Sequence, residues 1–272
     1  TKVAIPVHFA GLPCDMESIK AACDESSTVV IEDAAHALGA SYKNGKRVGS
    51  CCHSLMTVFS LHPVKAIAAG EGGVVTTNDE TIYRKLLRLR SHGINKLDDK
   101  FENIGQAFSD GIQNSWYYEM QQIGFHYRTT DIQCALAQSQ LKKLDQFIEK
   151  RRSIASIYRQ RLANFSSVTC AQPSSDDQFH ARHLFVIRSD YKRLKASRAV
   201  IQNTMRSEFG IITQVHYLPI PMHPYYQKLG HNMNNLPNAL SYYEECLSIP
   251  IYYSLTDDEL EHVILSLSKV FN

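Results

Sequence analysis

The sequence predicts an α/β fold in two parts, and three observations carry that prediction. Apolar, β-branched runs such as "TVVIED" and "SLMTVFS" alternate with stretches of helical period. The runs are continuously apolar, as in a sheet covered on both faces. A long helical segment, 129–165, separates one such group from a second. The first group reads as a large domain over 1–145 and the second as a smaller C-terminal α/β domain over 146–272.

Taken in order, "KVAIPVHFAG" is a buried strand closed by glycine. "DMESIKAACDES" is a short helix with Asp15 as N-cap and Ile19, Ala22 and Cys23 on one face. "TVVIEDAAHALGA" opens as a strand whose apolar part stops at Glu32 and Asp33, and Asn44-Gly45 marks a small hairpin. Residues 54–60 and 72–79 are two further strands, and "ETIYRKLLRLRSHG" is an amphipathic helix ended by Gly93. Residues 94–128 are polar and aromatic with weak periodicity; so long a connection is usually functional or at an interface. Residues 129–165 read as one helix capped by Thr130 or Asp131. Beyond it, "HLFVIRS" and "ITQVHYL" are strand-like, while "KASRAVIQNTMRSEFG", "PNALSYYEECLS" and "DDELEHVILSLSKVF" are helical.

The chain has 272 residues, enough for a sizeable core, with 44% hydrophobic and 21% charged residues. A net charge of +2 gives no case for nucleic acid or an anionic membrane as a partner. No apolar run approaches the roughly 20 residues that cross a bilayer. Seven cysteines, an odd count without a C-x-x-C pair, point to reduced thiols and a cytoplasmic protein. Adjacent Cys51 and Cys52 read as small hydrophobes.

"FSLHPVKAIAAGEGGVVTTND" (59–79) places Lys65 between a strand and a glycine-rich turn. The ordinary reading is a surface lysine whose stem snorkels; the other is an amine that does covalent chemistry. Asp33 ends one strand and Lys65 follows another, and ligands of open α/β sheets gather outside the carboxyl ends of strands. The two are either a structural ion pair or the parts of a pyridoxal phosphate site. There a lysine joins the aldehyde and a carboxylate keeps the pyridine nitrogen protonated. His180-x-x-His183 has the look of a metal pair but no third ligand at a telling spacing, so the reading is no metal. "GEGGV" lacks the Gly-Lys-Ser/Thr ending of a nucleotide-triphosphatase loop; its glycines permit a tight turn beside the lysine.

Four ordered stretches, "VIEDAAHALGASYKNGKRVGS", "FSLHPVKAIAAGEGGVVTTND", "RLRSHGI" and "GFHYRTTDIQCALAQSQLKKLD", resemble the successive motifs of the DegT/StrS family of sugar aminotransferases. That family has the aspartate-aminotransferase fold (fold type I) and uses pyridoxal 5'-phosphate. The resemblance implies that Lys65 carries the cofactor covalently, that Asp33 partners its pyridine nitrogen, and that His36 approaches its ring hydroxyl. Ser60 matches a phosphate-contacting hydroxyl. His126, in Gly124-Phe125-His126-Tyr127-Arg128, stands where the family's Gly-Tyr-Asn-Tyr-Arg motif has an asparagine that reaches the neighbouring subunit's phosphate. His216 and Tyr217 match a segment facing the nucleotide-sugar. Residues 210–230 further resemble the subgroup that makes UDP-4-amino-4,6-dideoxy-N-acetyl-β-L-altrosamine on the pseudaminic acid route. The implied reaction moves an amino group from L-glutamate to a 4-keto-6-deoxy nucleotide-sugar, in a homodimer with sites at the subunit interface. A related branch replaces the lysine with histidine and dehydrates; Lys65 argues against it. Family members carry a further segment ahead of the point matching Thr1, with a phosphate-binding turn at a helix start. The chain thus resembles the carboxyl two-thirds of an aminotransferase, and the alternatives are a truncated, non-catalytic relative that binds or oligomerises and an aminotransferase for another nucleotide-sugar.

Overall fold

A computed structural model describes residues 1–96, 100–173 and 178–271. The first sheet has the order β1 (Val3–Ala4), β2 (Val29–Asp33), β3 (Met56–Ser60), β4 (Gly73–Thr76). The first three strands run parallel, and β4 returns antiparallel with Val58 opposite Val75. A parallel pair needs a crossover, and α1 (Met16–Glu25) supplies the one between β1 and β2. Its N-cap is Asp15, whose carboxylate accepts the Ser18 N–H at 3.2 Å.

Side chains alternate across the sheet. Val30 and Phe59 face inward, into a core with Met16 and Cys23 of α1 and with Leu144 and Ile148. The other face is open: Val3, Val29, Val58 and Val75 are 37–42% exposed. Asp33 and Ser60 are in phase with Val29 and Val58, so they close the carboxyl end of this open face. The expected covering of both faces is therefore corrected to one, because the helices packed on the sheet lie on the Val30 side. The expected buried first strand is corrected as well. Its ladder stops at Ala4, Pro6 has no N–H to extend it, and Val3, Ile5 and Val7 stay exposed at the edge.

Glu32, fully buried on the inner face, gathers the surrounding segments. Its carboxylate accepts from Tyr42 and Ser54, from Thr57 at 3.1 Å, and from His8 Nε2 at 2.7 Å. The Cys14 backbone N–H donates to His8 Nδ1 at 3.1 Å, which leaves the proton of His8 on Nε2. Burial alone would raise the pKa of Glu32; the hydrogen bonds from His8, Ser54 and Tyr42 outweigh it and hold the carboxyl below its ordinary value.

After β4 come α2 (Glu80–Leu89), capped by Asp79, and a connection of short pieces: β5 (Ile94–Asn95), α3 (Ile104–Ala107), β6 (Phe108–Ser109), β7 (Ile112–Gln113) and β8 (Glu119–Met120). β5 pairs with β8 and β6 with β7; residues 97–99 of this connection lie outside the described residues. The single helix expected over 129–165 is two, α4 (Asp131–Leu141) and α5 (Leu144–Leu162). A capping box of Thr130 and Gln133 starts α4. The break at Lys142 and Lys143 separates a helix with no buried residue from one whose stripe of Leu144, Ile148, Arg151, Ile154, Tyr158 and Leu162 is buried.

The second sheet has the order β11 (Cys246–Ile249), β10 (Phe185–Ser189), β9 (Val168–Cys170), all antiparallel. It packs with α5, α6 (Arg198–Phe209) and α9 (Asp257–Phe271) around one core of residues 154–271. α7 (Pro224–Lys228) and α8 (Pro237–Glu245) complete the chain. "ITQVHYL" is not a strand: Gln214 alone bridges, to Ser248, and Pro219 and Pro221 follow too closely for a ladder to extend. "ECLS", expected as a helix end, leaves α8 at Glu245 to form buried β11.

Glu32→Ala strands four donors in the core and is expected to lower stability by about 3–5 kcal/mol in urea unfolding; a loss under about 1 kcal/mol would contradict the network. Because the folded carboxyl is depressed below 4.5, its contribution is present above that pH and is lost as pH falls through the depressed value. Acid titration of the unfolding midpoint should lose this component in the variant.

Candidate active site

Lys65 sits in the loop that returns β3 to β4. The loop is pinned at both ends, Leu61 N–H donating to Gly72 O and Ala69 N–H to Leu61 O, while Lys65 N–H closes a turn on His62 O at 2.9 Å. Gly72 has φ +145°, a conformation that L side chains rarely adopt. The half-buried amine of Lys65 makes no hydrogen bond or ion pair among the described residues. Burial lowers its pKa, and the charge of Asp33 opposes that only in part.

Asp33 Oδ1 accepts the Ala35 N–H at 3.0 Å, starting the turn that carries His36. His36 is 7% exposed, and its Nδ1 accepts the Ala10 N–H at 3.3 Å. That contact assigns the proton to Nε2, which donates to Tyr217 Oη at 3.2 Å. Burial, then the charges of Lys65 and His216, push the pKa of His36 down to about 4, with Asp33 opposing. Gly11, at φ +94°, makes the approach possible: a Cβ there would lie 2.9 Å from His36 O. From the second half of the chain, His216 Nδ1 bonds Ser248 Oγ at 2.7 Å, and its pKa is lowered by burial and by Lys65. Burial, with a smaller contribution from Asp33, raises the pKa of Tyr217 and keeps the phenol protonated.

The structure thus brings Lys65, Asp33, His36, His216 and Tyr217 into one electrostatically coupled cluster. Ser60 ends β3 five residues before Lys65, and its Oγ accepts the His62 N–H at 3.3 Å. His126 stands apart. It is exposed, its ring lies 5.4 Å from His92, and its backbone bridges to Ser91. Sequence reasoning weighed His183 only as a metal ligand and missed it as a neighbour of the cluster, where its ring lies 4.4 Å from that of His36. Its place just before a buried strand was the only signal. Among the described residues no group of three His, Cys, Asp or Glu could hold a metal ion. An open cleft of about 250 Å³ is lined in part by Phe9, whose ring contacts His36 and Tyr217.

Residues 1–268 match the model of the DegT/DnrJ/EryC1/StrS aminotransferase family. The chain belongs to that family. It is 37% identical to the spore coat polysaccharide biosynthesis protein SpsC of Bacillus subtilis, over 99% of this chain and 67% of SpsC. Among solved structures it resembles Helicobacter pylori PseC, an aminotransferase of pseudaminic acid biosynthesis, with TM-score 0.86 and 31% identity over 100% of this chain and 67% of PseC. It also resembles the pyridoxal-phosphate form of the Streptococcus pneumoniae sugar aminotransferase Spr1654, with TM-score 0.84 and 28% identity over 99% of this chain and 68% of that one. The fold is therefore the fold type I of sugar aminotransferases, the enzyme class is aminotransferase, and the cofactor of the family is pyridoxal 5'-phosphate. The residues fit that group: an amine of lowered pKa with no hydrogen bond or ion pair among the described residues, a carboxylate at a strand end and a neutral imidazole lie within electrostatic reach of one another.

Acylation of Lys65 by a limiting amine reagent, followed by mass mapping across the alkaline range, is expected to show a midpoint below that of lysines in the unfolded chain. An equal midpoint would remove the argument for a desolvated amine.

Proposed function

We propose that the protein transfers the amino group of L-glutamate to a 4-keto-6-deoxy nucleotide-sugar, the sugar being UDP-linked. The observation that carries this reading is the half-buried amine of Lys65, without a hydrogen bond or ion pair among the described residues and within electrostatic reach of Asp33 at the carboxyl end of the sheet. The resemblance to SpsC and PseC, a polysaccharide and a pseudaminic acid protein, supports the sugar class. The chain spans 67% of the length of both relatives, so the activity of the whole enzyme is part of the proposal.

Bound pyridoxal phosphate supplies an electron sink for the pair left on the donor's α-carbon. The Asp33 carboxylate would hold the ring nitrogen protonated, and Ser60 Oγ and His36 Nε2–H would hold the phosphate and ring hydroxyl. Lys65 Nζ, whose uncharged form burial favours, takes the proton from the donor's α-carbon as general base. In the second half-reaction the same Nζ, now protonated, returns a proton to C4 of the sugar. His216 and Tyr217 face the sugar from the second half of the chain. Atoms balance as glutamate plus keto-sugar giving 2-oxoglutarate plus amino-sugar.

The same reading makes the protein a homodimer of the cytosol. Ile112, Trp116, Ile123 and Ile132 are 73–83% exposed on the segment that also carries His126, an apolar surface that favours burial against a second copy. No helix of the described residues is long and apolar enough to cross a membrane. A second reading, a non-catalytic binding or oligomerising relative, is favoured by one observation: the apolar sheet face beside Asp33 and Ser60 is open in this chain.

Turnover over a panel of 4-keto and 3-keto nucleotide-sugars with glutamate is expected for the 4-keto substrates, and Lys65→Ala should lower it by on the order of 100- to 10,000-fold. No turnover together with no cofactor uptake selects the second reading. In sedimentation, Trp116→Asp with Ile132→Asp should convert dimer to monomer; an unchanged dimer would place the interface elsewhere.

A further inference from the structure

Residues 8–11 pass between His36 and the 181–184 segment. Ala10, fully buried with φ 58°, donates its N–H to His36 Nδ1 at 3.3 Å. Its carbonyl accepts the N–H of His183 at 2.9 Å and of Leu184 at 3.3 Å. The imidazole of His183, 6% exposed, packs on the His36 ring with centroids 4.4 Å apart and planes at 40°. The Tyr217 ring stacks on His36 at 6.1 Å and 25°, and its Oη lies 3.2 Å from Nε2.

We infer that His183 and Tyr217 are positioning residues that hold His36 as the neutral Nε2–H tautomer, His183 by covering its ring and Tyr217 by accepting its one hydrogen. An imidazolium at His36 needs a hydrogen on Nδ1, and the Ala10 N–H already points at that nitrogen. His183 brings no counter-charge: its Nδ1 is buried without a partner among the described residues, and burial holds it uncharged. The charged and titratable groups felt by His36 are Lys65 and His216, which oppose a positive ring, and Asp33, which favours one. His183 in turn feels Lys65, His216 and Arg151. Burial of His36 by the His183 ring and the Phe9 contact decides the balance. His36 then presents one donor, unchanged across the neutral range. Under the proposed function, on which this consequence rests, the ring hydroxyl of the cofactor would replace Tyr217 Oη as the acceptor of that hydrogen, without a competing protonation step.

The test needs no cofactor. Nitrogen-labelled imidazole NMR of the whole chain is expected to show His36 as the Nε2–H form, titrating near pH 4. His183→Ala uncovers the ring to water, and the midpoint should rise by at least about one unit, a tenfold gain in proton affinity. His183→Phe restores a covering ring without a titratable group and should restore the low midpoint. Tyr217→Phe should leave the midpoint low but speed exchange of the Nε2 hydrogen with water by about tenfold or more. An Nδ1–H tautomer or an ordinary midpoint in the unaltered chain overturns the inference, with no variant needed. So does a His183→Ala midpoint that does not move. A chain that takes up no pyridoxal phosphate yet shows this tautomer and titration keeps the inference and loses the proposed function.

Discussion

The buried carboxylate of Glu32 is the contact on which the rest of the site depends. An ionised carboxylate out of water is costly unless its acceptor sites are filled. Here they are filled by four donors from three stretches of chain, His8, Tyr42, and Ser54 with Thr57. Glu32 and Asp33 are adjacent in β2, so their side chains leave on opposite faces. Locking Glu32 inward therefore obliges Asp33 outward. A slip of one residue would exchange them, burying Asp33 and exposing Glu32. The same parity in β3 turns Thr57 and Phe59 inward and Ser60 outward, on the face that Asp33 shares.

A second constraint acts where the two cores meet. Asp33, His36 and Lys65 belong to the first sheet and its loops, while His183, His216 and Tyr217 come from the part of the chain that packs around the second. The junction is the 8–11 segment, tied to Asp33 O by the His8 N–H and to 181–184 by Ala10 and Gly11. Ala181, from beyond α5, is packed into the first core. For both Lys65 and His36, burial is the larger effect and favours the uncharged form, and the negative charge of Asp33 is the smaller, opposing one. Desolvation thus favours the uncharged form of both an amine and an imidazole.

Much of this was legible in the sequence. The caps at Asp15 and Thr130 are local signals, and α1 and α4 begin on them. Asp33 and Lys65 drew notice because each follows the carboxyl end of an apolar run, but position alone also fitted a structural ion pair, and their roles came from the resemblance. What stayed hidden was tertiary. A strand that alternates Val with inward residues looks alike whether or not its second face is covered, so the open face of Val3, Val29 and Val58 was read as buried. The break at Lys142 and Lys143 carries no proline or glycine to announce it. Cys246–Ile249 continues a helical pattern but is claimed by pairing with β10. His183 meets His36 only through the packing of two cores, a contact for which spacing along the chain has no signal.

Chemical trapping asks whether Lys65 is the amine that takes up the cofactor. The chain is exposed to pyridoxal phosphate, reduced with borohydride and mapped by peptide mass. One dominant pyridoxyl adduct is expected, on the peptide that carries Lys65, and it should disappear in Lys65→Ala. An adduct spread over exposed lysines such as Lys43 and Lys46, unchanged by that substitution, would contradict it.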